Sequence, residues 1–168
     1  ENLAKNLKKL QIQFDSVLCS DLKRCRQTLE AIGKHNKLQE TTYSSLLRER
    51  DYGDWTNKSF KQSMNTGLVE VSDNGSSLGW EYLAKTEINN AETLDQMISR
   101  LLEVLRKPSL SGQHLVVTHS GVLNILYRYS KQLPFEASIP ELSWKNAKVY
   151  RLSFDPNNFL NGQWDIVL

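Results

Sequence analysis

The sequence predicts an α/β layered domain with a largely parallel central sheet. Three observations carry that expectation. Short apolar runs alternate with helical patterns along most of the 168 residues. Two of those runs, Phe14 to Cys19 and His114 to Thr118, lead directly into polar clusters: Ser20-Asp21 before Arg24, and Thr118-His119-Ser120-Gly121. The second run is nearly continuous in apolar residues, as expected of a strand covered on both faces. Ligands of such sheets sit beyond the carboxyl ends of the strands, so these clusters mark where a site is expected.

The elements follow in order. Leu3, Leu7 and Leu10 mark one face of a first helix. After the strand at Phe14 to Cys19, Ser20-Asp21 offers N-cap chemistry for a helix from about Leu22 to Gly33, which ends on a glycine. Thr41 to Leu47 reads as extended and Arg48 to Asn57 as a polar loop. Residues 58–90 are mixed and read as helical segments of a variable insertion. Glu92 to Leu105 is a helix burying Leu94, Ile98, Leu101, Leu102 and Leu105. A turn over Pro108 to Gln113 precedes the second apolar strand, and Gly121 to Tyr129 is the next helix. Lys148 to Phe154 and Gln163 to Leu168 read as two strands joined through Asp155-Pro156-Asn157-Asn158, a hairpin at a sheet edge.

Composition narrows the function classes. The length suits one domain over residues 1–168 with a single core. A net charge of +2 on scattered lysines and arginines argues against a nucleic-acid partner, which needs a basic stripe. No apolar run approaches the roughly 18 to 20 residues that span a bilayer, and the opening residues carry no signal-peptide core. A cytoplasmic protein with no membrane partner is therefore expected. Cys19 and Cys25 read as buried thiols in a reducing compartment. No ligand spacing suggests a metal, and there is no Gly-rich nucleotide loop, so no cofactor is expected.

Four places carry candidate chemistry. His119 lies at a strand end beside a helix N-terminus, where backbone N–H groups favour an anion. The plainer alternative is a histidine that merely caps the turn. Arg24, one turn into its helix, can bind phosphate oxygens as a fork at the same strand ends. An isolated arginine there would otherwise be a solvated helix residue, as Lys23 and Arg26 are expected to be. Leu47-Arg48-Glu49-Arg50-Asp51-Tyr52-Gly53-Asp54-Trp55 mixes acids, arginines and aromatics. Glu49 is a candidate general acid there, given burial and a nearby phosphate; Asp51 and Asp54 suit a salt-bridged surface loop better. Glu92 is fully explained as an acid complementing a helix dipole. His35 and His114 read as structural.

These pieces occur together in a recognisable order. Ser20-Asp21-Leu22-Lys23-Arg24-Cys25-Arg26-Gln27-Thr28, Leu47-Arg48-Glu49-Arg50-Asp51-Tyr52-Gly53, Glu92-Thr93-Leu94-Asp95-Gln96 with Arg100, and Val116-Val117-Thr118-His119-Ser120-Gly121 resemble four successive motifs of the histidine phosphatase (phosphoglycerate-mutase-like) superfamily. The resemblance covers most of the chain and looks closest to fructose-2,6-bisphosphatases of the TIGAR kind. It implies a three-layer sandwich with a mainly parallel central sheet. It also implies a phosphomonoesterase acting on a small phosphorylated metabolite through a phosphohistidine. By position, Arg24, His119 and Ser120 would bind the phosphoryl group, Glu49 and His119 would be catalytic, and Arg50 and Tyr52 would touch the substrate.

The sequence departs from the family pattern in several places. Family members carry the nucleophilic histidine in an Arg-His-Gly motif on the first strand, and no Arg-His-Gly occurs here. The expectation is a domain lacking its first strand and inactive as it stands. The alternative is a non-catalytic pseudophosphatase that binds phospho-ligands or a protein partner. Loss of an interior strand would leave two unpaired ladder edges, each buried group costing about 1 to 3 kcal/mol against a total stability of about 5 to 15 kcal/mol. Ser120 replaces a usual glycine, Asn90-Ala91 replace glycines before Glu92, and Asn57 stands where a glycine often follows the tryptophan. Oligomeric state stays open.

Overall fold

Strand β1 (Ser16–Ser20) is the middle of a three-stranded parallel sheet in the order β2-β1-β3, with β2 at Thr41–Ser44 and β3 at His114–Val117. The structure, a computed structural model, describes residues 2–58, 84–106, 112–137, 144–155 and 158–166. The register sets Cys19 opposite both Tyr43 and Val117. All three strands therefore end on one side of the sheet, which is the side of the polar clusters.

The period-2 alternation of β1 feeds two cores. Val17 and Cys19 pack with Leu115 and Val117 of β3 against helices α1 (Asn2–Lys9) and α2 (Lys23–Gly33), which contribute Ala4, Leu7, Cys25, Leu29 and Ile32. Leu18 points the other way, into a core built by α3 (Leu94–Leu105) and α4 (Ser120–Ser130), including Leu101, Met97, Val122 and Ile125. Helices on both faces of a parallel sheet give the expected α/β sandwich. Strands β4 (Tyr150–Asp155) and β5 (Asn158–Ile166) form a separate antiparallel pair. It reaches the second core through Phe159, and Trp164 Nε1 donates to Ser130 Oγ of α4 at 2.9 Å.

Several local expectations change. Ser20 and Asp21 do not cap α2: its N-cap is Leu22, without a side-chain cap bond. Asp21 is drawn off into a two-bond ion pair with Arg48, 2.6 Å for each bond, and Ser20 faces His119. Helix α3 begins at Leu94 rather than Glu92, because Thr93 and Gln96 form a reciprocal capping box. Only the first four residues of Thr41 to Leu47 are strand; Ser45–Leu47 form a 3-10 turn entered through the Ser44 side chain, which accepts from Leu46 N–H. Strand β5 begins at Asn158, earlier than its apolar pattern suggests, since Asn158 already pairs with Asp155. Val116 of β3 is 36% exposed, more than expected of a strand covered on both faces, and no strand pairs with the outer edge of β3 among the described residues. Most of the expected insertion, residues 59–83, lies outside the described residues, as does most of the Pro108 to Gln113 turn.

Candidate active site

Because β1 and β3 are parallel neighbours, the residues just past their ends meet. Ser20 closes β1, Arg24 lies in the first turn of α2, and His119 is the residue before α4. The Arg24 Nε–H donates to His119 Nδ1 at 3.1 Å, across 95 residues of sequence. His119 Nε2 is 2.9 Å from Ser20 Oγ and 3.5 Å from Cys25 Sγ. His119 is buried and caps nothing with its ring. Burial lowers its pKa to about 4, assisted by the positive charges of Arg24 and Arg100 and opposed by Asp21. The imidazole is therefore neutral at pH 7, and the positive charge around it sits on Arg24 and Arg100.

Glu49 enters from the loop after β2. One carboxylate oxygen accepts from Gly121 N–H at 3.1 Å, in the first turn of α4, and the other accepts from Arg50 N–H at 3.0 Å. Thr118 Oγ1–H donates to Leu47 O at 2.9 Å and ties this loop to the end of β3. Arg24, Glu49 and His119 thus surround one helix N-terminus. Ser120 opens that helix and is exposed.

Arg50 and Tyr52 lie beside this group rather than within it. The Arg50 side chain is buried and donates through Nε to Glu92 O at 2.9 Å, with its guanidinium carbon 5.5 Å from the Tyr52 ring centre. Burial pushes Tyr52 up to about 12, with the negative charge of Glu49 adding to it and Arg50 opposing. Arg50 also lines a cleft of about 580 Å³, whose other walls include Asn89, Asn90, Thr93, Phe135 and Glu136.

The arrangement depends on residues whose roles sequence patterns hid. Arg100 of α3 binds both oxygens of Glu92 through Nε and Nη2, at 2.5 and 2.8 Å, and donates to Leu46 O and Glu49 O at 2.5 and 3.3 Å. Glu92 therefore serves a side-chain ion pair and not the dipole of α3. The signal for this pairing was the motif resemblance that joins Glu92 with Arg100, eight residues on. Asp51 Oδ1 accepts from Gly53 N–H and Thr56 Oγ1–H, and Asp54 accepts from the Asn90 amide, so both acids shape the loop, and neither makes a salt bridge among the described residues. Arg26 is not simply solvated: it donates to Asp21 O at 2.8 Å and covers the Tyr43 ring. Asn57 and Asn90, at positions expected to favour glycine, have φ of 64° and 59°, the left-handed region that asparagine tolerates best after glycine. His114 sits at the far end of β3, its Nδ1 2.7 Å from Ser16 Oγ. Among the described residues no three His, Cys, Asp or Glu side chains group as metal ligands, and no helix is long and apolar enough to cross a membrane.

Known proteins resemble this chain in sequence and in fold. The adenosylcobalamin/alpha-ribazole phosphatase of Escherichia coli is 28% identical over 128 residues, covering 75% of this chain and 61% of that protein. A broad-specificity phosphatase of Saccharomyces cerevisiae is 54% identical over a 44-residue stretch, 25% of this chain and 19% of that protein. The chain thus spans less than two thirds of the length of these curated relatives. A mycobacterial glucosyl-3-phosphoglycerate phosphatase structure superposes with a TM-score of 0.70 at 22% identity, over 99% of this chain and 81% of that one. The family model described as "Histidine phosphatase superfamily (branch 1)" matches residues 1–166, and the chain belongs to that superfamily.

Proposed function

We propose that this protein is a phosphomonoesterase of the histidine phosphatase type that hydrolyses a small phosphorylated metabolite. The observation that carries the reading is the contact of Arg24 with His119 at the N-terminus of α4, with Glu49 on the adjoining turn. A guanidinium fork, an imidazole and the backbone N–H groups opened by Ser120 suit the oxygens of a phosphoryl group. Glu49 gives its proton to the leaving alkoxide, and Arg50 with Tyr52 contacts the rest of the substrate. Fructose-2,6-bisphosphate is the first substrate to try, on the motif resemblance. The names of the relatives add alpha-ribazole phosphate and glucosyl-3-phosphoglycerate to the panel.

The reaction also needs a nucleophile. The chain's histidines are His35, His114 and His119, and none stands in Arg-His-Gly. The reading treats residues 1–168 as one domain whose nucleophile comes from a further strand, with phosphohistidine forming there and water releasing phosphate. Among the described residues no strand pairs with the outer edge of β3, where Val116 is 36% exposed, and this supports that placement.

Phosphate release from para-nitrophenyl phosphate and from the named substrates tests the proposal. The 168-residue chain is expected to show negligible turnover, and a form extended by an Arg-His-Gly strand to show clear turnover. Activity of the short chain that disappears in His119→Ala would move the nucleophile to His119. An extended form that binds phosphate without turning over would favour a pseudophosphatase.

A further inference from the structure

The structure assigns Ser20 as the positioning residue that fixes His119 in its Nε2–H tautomer. The argument is one of donors and acceptors. A guanidinium can only donate, so the Arg24 Nε–H, 3.1 Å from His119 Nδ1, requires a lone pair on that nitrogen. A neutral imidazole carries a single N–H, which then belongs to Nε2. That nitrogen lies 2.9 Å from the hydroxyl oxygen of Ser20, a residue with no solvent exposure, which accepts from it. Cys25 Sγ lies 3.5 Å from Nε2 and 3.8 Å from Nδ1, so this weak partner discriminates little between the two nitrogens. The charged groups around the ring agree. Burial above all disfavours a second ring proton, as do Arg24 and Arg100, and Asp21 offsets them only in part.

The consequence deepens the proposed function and rests on it. The one unprotonated nitrogen of His119 accepts from Arg24, so the ring keeps no free lone pair with which to attack a phosphoryl group. Removing the Ser20 hydroxyl leaves Nε2 with only a thiol, and both the ring's orientation and its proton become less defined.

Long-range ¹H–¹⁵N spectra of the protein labelled with ¹⁵N-histidine test this at neutral pH, with the His119 signals assigned by their loss in His119→Asn. The expected wild-type pattern has a protonated Nε2 and an unprotonated Nδ1. In Ser20→Ala the Nδ1–H share should rise about 2- to 10-fold, the factor that one net hydrogen bond supplies. Ser20→Thr, which keeps the hydroxyl, should restore the wild-type pattern. An Nδ1–H tautomer in the wild type, or an unchanged pattern in a folded Ser20→Ala, would overturn the assignment. Turnover is not needed for any of these readings. An inactive protein would count against the phosphatase proposal and leave the tautomer result standing.

Discussion

The Glu49 carboxylate rests on the backbone of Gly121, accepting its N–H at 3.1 Å, and a Cβ at position 121 would lie 2.9 Å from Glu49 Cδ and closer still to one carboxylate oxygen. Glycine is required here by close approach and not by an unusual φ. The carboxylate can reach the N-terminus of α4 because that helix begins without a side chain in its path.

Gly121→Ala should therefore displace Glu49 while leaving the fold intact, since alanine favours a helix over glycine by about 1 kcal/mol. In a catalytically competent form of the protein, kcat is expected to fall about 10²- to 10⁴-fold, the usual share of a general acid, and to match Glu49→Gln. Steady-state kinetics beside a melting curve check this. A variant with lowered melting temperature and unchanged kcat would contradict it.

Arg24→Ala removes the fork expected to hold phosphate. A charge-assisted hydrogen bond contributes about 1.5 to 3 kcal/mol, so phosphate binding should weaken about 10- to 100-fold by calorimetry. Arg24→Lys should recover only part of this, because an ammonium keeps the charge without the planar pair of donors. Equal affinity in all three proteins would place the anion elsewhere.

The Glu92–Arg100 pair is mostly shielded, its side chains 14% and 16% exposed. Arg100→Ala strands the Glu92 carboxylate and also removes the donor to Leu46 O and Glu49 O. Breaking a buried pair from one side costs about 3 to 5 kcal/mol, and denaturant titration should show a loss of that order. Adding Glu92→Gln to Arg100→Ala should recover part of it, as the stranded charge is then gone.

Stability should rise with pH between about 4 and 6.5 through His119. Its pKa falls from 6.5 to about 4 in the fold, so in that window the unfolded chain binds the extra proton. The contribution is full above 6.5 and is lost as pH falls towards 4. At 1.36 kcal/mol per unit it amounts to about 3 kcal/mol. His119→Asn should flatten this limb of the stability–pH curve. A limb of equal slope in the variant would assign it to other groups.

The sequence by itself determined the layer order and the ends of the strands that matter. Apolar period-2 and helical patterns placed Arg24 and His119 just past two strands, and parallel pairing of those strands then brought the two residues together. The family resemblance marked Asn57 and Asn90 as standing at glycine positions, and both adopt positive φ. What the tertiary structure alone decided are partnerships between residues far apart in the chain. Arg100 meets Leu46 O across 54 residues, and Gly121 meets Glu49 across 72. No periodicity or cap signal encodes such contacts. The same competition turned Ser20 and Asp21 away from capping α2, because a buried imidazole and an arginine fork offered their oxygens stronger partners than the helix end. Arg50 likewise meets the Glu92 carbonyl across 42 residues, a contact set by how α3 packs beside the loop after β2.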